Sequence, residues 1–120
     1  MKKILIVDDE PNIVMTLEYT FKKSNYEVFI ARDGQEALDI VTTNFPDVII
    51  LDIMMPMVDG FATLEQIRKD ANLQHTKVMF LSAKNKESDI EKGLALGADA
   101  YMTKPFSIKK VVEKVEELLN

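Results

Sequence analysis

Five short apolar runs recur along the chain, and each is followed by a longer segment whose apolar residues return every three or four positions. Short runs rich in β-branched and aromatic residues predict strands, whereas the longer periodic segments predict amphipathic helices. The predicted strands are residues 3–8, 27–31, 47–52, 77–82 and 99–103. The predicted helices are residues 11–24, 34–44, 61–71, 86–96 and 107–119. The order is therefore βα repeated five times.

The predicted strands are apolar on both faces, which is typical of parallel strands covered by helices on either side. Pro11, Gly34 and Gly60 lie at predicted helix starts, and Gly97 falls just past the end of the fourth helix. A closed eight-stranded barrel needs about twice this chain length, so the pattern favours a three-layer, doubly wound α/β fold with an open parallel sheet. Ligands in such sheets bind beyond the carboxyl ends of the strands.

Charged and hydroxyl side chains lie at this edge of the predicted sheet. Asp8 and Asp9 end the first strand, Asp52 the third, Ser82 the fourth, and Lys104 follows the fifth. If the first and third strands are neighbours, the three aspartates form a pocket that repels itself unless a hard divalent cation enters. Mg²⁺ suits such a pocket, with Mn²⁺ as an alternative ion. Lys104 and Ser82 would then bind an incoming anion, and Asp52 becomes a candidate nucleophile.

Composition narrows the choice of partners. The 120 residues fit one domain, 1–120, and no stretch approaches the roughly 18 apolar residues of a membrane helix. In "MKKILIVDDE" acidic residues interrupt the apolar run too early for a signal peptide, and the chain has no cysteine. A net charge of −5 gives no electrostatic footprint for nucleic acid. We expect a cytoplasmic protein that binds neither nucleic acid nor a membrane.

Five motifs in fixed order carry a family resemblance. They are "ILIVDDE", "DVIILDIMMPMVDG", "LSA", "GADAY" and "KPF". With these motifs the chain resembles, over essentially its whole length, the receiver domain of two-component response regulators. That family has the CheY-like, flavodoxin-like fold with strand order 2-1-3-4-5. The resemblance implies a phosphoacceptor domain that takes a phosphoryl group from the phosphohistidine of a histidine kinase or from a phosphotransfer protein.

The resemblance also implies roles for individual residues. Asp52 accepts the phosphoryl group, and Asp9 binds Mg²⁺ directly while Asp8 acts largely through water. The backbone carbonyl of Met54 is a further metal ligand, and Asp52 itself completes the metal-binding set. Two side chains contact the phosphoryl oxygens, namely Ser82 and Lys104.

Switching is expected to involve Ser82 and Tyr101, which move together and remodel the face of the fourth helix, fifth strand and fifth helix. That face would bind a downstream protein or effector domain. The domain is expected to catalyse only its own phosphorylation and dephosphorylation, so we do not expect an enzyme. Lys110, Lys114 and Ala100 replace residues that many DNA-binding members use in a receiver dimer, so both a monomer and a phosphorylation-dependent dimer stay open.

Two other protein classes, and a purely structural role for the acidic residues, are alternatives to this interpretation. A Mg²⁺-dependent phosphatase or phosphotransferase of the haloacid dehalogenase type needs a second Asp two residues after the nucleophile, where this chain has Met54. A flavodoxin-like flavin binder needs a small, donor-rich phosphate loop after the first strand, where "DDEPN" would repel phosphate. Asp8, Asp9 and Glu10 could also simply cap the first helix.

Overall fold

A computed structural model describes residues 1–120, and its strands and helices follow the predicted order. The strands are β1 Lys3–Val7, β2 Glu27–Ala31, β3 Val48–Leu51, β4 Lys77–Ser82 and β5 Ala100–Thr103. The helices are α1 Pro11–Lys23, α2 Gly34–Asn44, α3 Gly60–Lys69, α4 Glu87–Ala95 and α5 Ile108–Leu119. A short 3-10 helix, Ala71–Leu73, follows α3. None of these helices is long and apolar enough to cross a membrane.

All five strands are parallel and lie in the order β2-β1-β3-β4-β5, which confirms the predicted fold class. Alternate strand residues point to opposite faces, so the sheet has a buried apolar cluster on each side. Helices α1 and α5 cover one cluster through Leu17, Phe21, Val111 and Val115. Helices α2 and α3 pack against the other cluster, which contains Leu64. The result is the expected three-layer arrangement.

Aspartate caps fix the starts of α2 and α3. The side chain of Asp33 accepts a hydrogen bond from the N–H of Glu36, and Asp59 accepts one from Ala62, both at 2.9 Å. Such caps satisfy N–H groups that have no partner inside the helix. Gly97 has φ of 109° just after α4, a backbone conformation that favours glycine. The predicted start of α2 is therefore confirmed, and the start of α3 and the end of α4 each differ from the prediction by one residue.

The structure corrects several predicted element ends by one or two residues. Strand β3 ends at Leu51 rather than at Asp52, although the Asp52 N–H still donates to the carbonyl of Val7 at 2.9 Å. The third helix stops at Lys69 rather than at residue 71 because Asp70 leaves the helix and caps the short 3-10 helix through the N–H of Asn72. The early strand ends matter for the site, because they place the acidic side chains just past the sheet.

Candidate functional site

Three aspartates meet at the carboxyl edge of the sheet, as the sequence predicted. Asp8 and Asp9 follow β1, and Asp52 follows the neighbouring β3. Their carboxylate oxygens lie within 4.8 Å of one another. Asp8 and Asp52 are each only 3% exposed, whereas Asp9 is exposed to solvent. The pocket therefore holds two buried acids and one that faces outward.

Lys104 lies in the same pocket and is the cation closest to these acids. Its Nζ is 3.0 Å from Asp8 Oδ2, 2.9 Å from Glu10 Oε1 and 3.7 Å from Asp52 Oδ2. The Lys104 side chain is only 10% exposed. The sequence predicted that Lys104 would face the pocket, but it did not predict Glu10 as a partner. The ammonium group is held by Asp8 and Glu10, and it stands further from Asp52.

The ionisation of the pocket reflects burial and crowding. Burial raises the pKa of Asp52, the charge of Asp8 raises it further, and the opposing effects of Lys104 and the Ile53 N–H do not cancel this. Burial alone would lower the pKa of Lys104, but its hydrogen bonds to Glu10 and Asp8 outweigh burial, so the pKa is raised. Since Lys104 keeps its charge, it acts as an internal counter-ion for the acids.

The backbone after Asp52 folds tightly over the site. Asp52 Oδ1 accepts the N–H of Ile53 at 2.8 Å, and the Ile53 carbonyl in turn accepts the N–H of Gly60 at 2.9 Å. A Cβ atom on Gly60 would lie 2.3 Å from the carbonyl oxygen of Asp52. Sequence reasoning assigned Gly60 only to a helix start, because the close approach involves residues eight positions apart. Met54 lies in this loop and is 59% exposed.

Ser82 and Tyr101 are connected through the backbone of Lys84. Ser82 is the fully buried last residue of β4, and its Oγ accepts the N–H of Lys84 at 3.3 Å. The Tyr101 hydroxyl donates to the Lys84 carbonyl at 2.7 Å. Burial raises the pKa of Tyr101, and the charges of Asp89 and Asp52 raise it further. The two residues predicted to act as a switch therefore bond to the same residue of the β4–α4 loop.

The structure gives limited support to the alternative that the acidic residues after β1 only cap helix α1. Glu10 is the residue that precedes α1, yet its side chain makes no capping hydrogen bond and reaches Lys104 instead. Asp8 Oδ1 accepts the N–H of Glu10 at 2.9 Å, so it fixes the turn that leads into the helix. Pro11 occupies the first helical turn, where its missing N–H has no consequence. The acids thus serve the pocket more than the helix end.

The donor set fits a hard divalent cation. Mg²⁺ prefers oxygen ligands and binds proteins through one or two carboxylates while it keeps several waters. Asp8, Asp9 and Asp52 offer carboxylate oxygens at close spacing, and the exposure of Asp9 leaves the pocket open to water. No sulfur or imidazole ligand belongs to this cluster. The peptide bond between Lys104 and Pro105 is cis.

The comparison with protein families agrees with the fold and the pocket. The family described as "Response regulator receiver domain" matches residues 4–116, so the chain belongs to this family. The chain is therefore a receiver domain of the two-component signalling type. This assignment favours the receiver interpretation over the haloacid dehalogenase and flavodoxin-like alternatives.

Individual relatives support the assignment. The chain is 46% identical over 118 residues to the alkaline phosphatase synthesis transcriptional regulatory protein PhoP of Bacillus subtilis, an alignment that covers 98% of this chain but 48% of PhoP. The chain thus spans about half the length of this curated relative. It matches the receiver domain of Francisella response regulator 1452 with a TM-score of 0.91 and 38% identity, covering 99% of this chain and 97% of that one. Vibrio cholerae chemotaxis protein CheY4 gives a TM-score of 0.93 and 31% identity, covering 99% of both chains.

Proposed function

We propose that residues 1–120 act as one receiver domain whose phosphoacceptor is Asp52. The observation that carries this proposal is the position of its carboxylate, which is buried at the centre of the pocket with Oδ1 held by Ile53 and Oδ2 facing Lys104 at 3.7 Å. Asp8 is engaged by Lys104 at 3.0 Å, and Asp9 is exposed. Asp52 is therefore the acid best placed to react with an incoming phosphoryl group while a cation stabilises the developing charge.

The transfer is a displacement at phosphorus. An oxygen of the Asp52 carboxylate forms the new bond to phosphorus as the bond from phosphorus to the donor histidine nitrogen breaks. The imidazole takes the electron pair and a proton from solvent. Lys104 pairs with the phosphoryl oxygens, and Ser82 donates a hydrogen bond to one of them. The negative charge of the phosphoryl group on Asp52 is thus placed next to side chains that can stabilise it.

A bound Mg²⁺ ion would neutralise phosphoryl charge during this step. We propose that Asp9 and Asp52 hold it directly, that Asp8 acts largely through water, and that the backbone carbonyl of Met54 completes the protein ligands. Mn²⁺ can take the same oxygen ligands. These assignments are supported by the close spacing of the three carboxylates and by their preference for hard cations.

The proposed donor is the phosphohistidine of a histidine kinase or phosphotransfer protein, encountered in the cytoplasm. The domain would catalyse only its own phosphorylation and dephosphorylation. Once phosphorylated, Asp52 draws Ser82 inward, and Tyr101 leaves its bond to the Lys84 carbonyl and follows. The surface of α4, β5 and α5 then changes and binds a downstream protein or effector domain.

The oligomeric state of the domain rests on that same surface. Lys114 pairs with Glu117 of its own helix at 3.3 Å, and Asp99 pairs with Arg68 of the same chain at 3.0 Å. These charges are therefore engaged within the chain, and Ala100 offers no charge to a partner. We propose that the resting domain is a monomer. If a dimer forms, we expect it to form only after phosphorylation.

Acetyl phosphate with Mg²⁺ tests the acceptor assignment. Intact-mass measurement is expected to show one added phosphoryl group that is lost on treatment with hydroxylamine, because acyl phosphates react with this nucleophile. Asp52→Asn is expected to abolish the added mass. Asp33→Asn is the matched control, since Asn also caps a helix and Asp33 lies outside the pocket. Full labelling of the Asp52→Asn variant would refute the assignment.

A further inference from the structure

Glu10 makes a contact that the receiver mechanism described above does not use. Its Oε1 lies 2.9 Å from Lys104 Nζ, which is shorter than the 3.7 Å between Lys104 and Asp52. The two partners are 94 residues apart in sequence. The Glu10 side chain is 57% exposed, whereas that of Lys104 is 10% exposed. Glu10 therefore approaches the buried lysine from the solvent side of the pocket.

The contact directs Lys104 away from the acceptor. Its Nζ pairs with Asp8 at 3.0 Å and with Glu10 at 2.9 Å, so the lysine must give up at least part of this pairing to bind a phosphoryl group on Asp52. Beyond Glu10 lies an open groove lined by Ile13, Ala83, Pro105 and Phe106. A released Glu10 side chain can thus turn into solvent without movement of its backbone.

We propose that Glu10 is a positioning residue that holds Lys104 in a resting position and slows phosphorylation of Asp52. The inference rests on the proposed function of Asp52 as phosphoacceptor. With acetyl phosphate, an Asp52 oxygen bonds to phosphorus, the bond from phosphorus to the acetyl oxygen breaks, and acetate leaves with the electron pair. Lys104 pairs with the phosphoryl oxygens during this step only after its contact with Glu10 loosens, and Glu10 then faces the phosphoryl group without its cation.

Two variants distinguish the effect of the contact between Glu10 and Lys104 from the effect of the negative charge on Glu10. Glu10→Gln removes the charge, whereas Glu10→Asp keeps the charge but shortens the side chain by one methylene, so that it no longer reaches Lys104. Both variants are expected to raise the second-order rate constant for phosphorylation by acetyl phosphate about two- to fivefold, which corresponds to the loss of an exposed ion pair. Intact-mass time courses at low donor concentration measure this rate constant.

Glu117→Gln is the matched control, because it removes one negative charge from an exposed residue that pairs with Lys114 of its own helix and lies outside the pocket. It is expected to leave the rate constant at the wild-type value. If Glu10→Gln is faster but Glu10→Asp matches wild type, only charge matters and the proposal is wrong. It is equally wrong if both Glu10 variants match wild type or are slower. If the wild type itself takes no phosphoryl group, the proposed function fails instead.

A second readout needs neither metal nor phosphoryl donor. In EDTA, Glu10→Gln is expected to raise the melting temperature more in a Lys104→Met background than in the wild-type background, because Glu10 without Lys104 only repels the neighbouring acids. Equal effects in the two backgrounds would mean that Glu10 and Lys104 are not coupled, and this result would overturn the proposal.

Discussion

Lys104→Met is the substitution that tests whether this lysine is the internal counter-ion of the pocket. Methionine keeps a long, unbranched side chain but removes the ammonium group. In the metal-free protein, Asp8 and Asp52 would then be left buried, at 3% exposure each, without the cation that now lies 3.0 and 3.7 Å from them. We expect the variant to be less stable than the wild type in EDTA.

The size of the loss follows from the burial of both partners. Coulomb attraction at 3.0 Å is about 5 kcal/mol for an effective dielectric constant near 20, and much of it offsets the desolvation of the lysine. Removal of one partner from a buried ion pair typically destabilises a protein by about 3–5 kcal/mol. Protonation of Asp52, whose pKa burial and the charge of Asp8 already raise, limits the loss to the lower end of that range. In a domain of 120 residues, about 3 kcal/mol lowers the melting temperature by about 10 °C.

Acidification is expected to reduce this loss. The penalty exists only while the carboxylates are ionised, and the absence of Lys104 raises the pKa of Asp52 still further. The difference between variant and wild type is therefore full at neutral pH and shrinks as the pH falls through that raised pKa. Wild-type Lys104, whose own pKa is raised, stays charged throughout this range.

Thermal melts in EDTA and in Mg²⁺ measure both effects. Mg²⁺ is expected to raise the melting temperature of Lys104→Met more than that of the wild type, because the ion no longer competes with the ammonium group for Asp8. Lys114→Met is the matched control, since Lys114 pairs only with Glu117 on α5. If Lys104→Met melts within about 2 °C of the wild type in EDTA, the lysine does not neutralise a buried pair and the argument fails.

Three further predictions concern the same pocket. Asp9→Asn is expected to stabilise the metal-free protein by about 1 kcal/mol and to reduce its response to Mg²⁺, as paired melts would show, and an unchanged Mg²⁺ shift would count against Asp9 as a ligand. Gly60→Ala is expected to lower both the melting temperature and the phosphorylation rate, because its Cβ would lie 2.3 Å from the Asp52 carbonyl oxygen, and normal labelling would contradict this. The double variant Met54→Asn, Lys84→Glu is expected to lose its phosphoryl group faster than wild type once the donor is removed, because polar side chains there can orient the attacking water, and equal decay would contradict the idea.

The fold could be predicted because the apolar pattern of each segment agrees with the alternating order of strands and helices along the chain. Strands apolar on both faces can be stable only between two layers of helices, and parallel neighbours need helical crossovers of the length found here. The element ends could be predicted only to one or two residues. Asp52 still donates its N–H to the Val7 carbonyl, so the distinction between the last strand residue and the first loop residue is small.

The meeting of the candidate site residues at one edge of the sheet could be predicted, because parallel strands bring their carboxyl ends together. The contacts that long side chains make across the fold could not be predicted from the sequence. Lys104 meets Glu10 across 94 residues, and only the third acid in "DDE" hinted at a further partner. Arg68 was likewise missed, because its guanidinium donates to the carbonyls of Thr76 and Gly97, whose positions depend on turn conformations that periodicity does not encode.

The formal charge of the pocket suggests an order in which a divalent cation and a phosphoryl group would bind. Four carboxylates, those of Asp8, Asp9, Glu10 and Asp52, surround one ammonium group, which leaves three negative charges. A phosphoryl anion is repelled by this charge, whereas a divalent cation is attracted to it. A cation near Asp8, even one held through water, would also weaken the attraction between this acid and Lys104. We therefore expect the lysine to pair with a phosphoryl group only after the excess charge has been reduced, so that metal binding would precede phosphorylation.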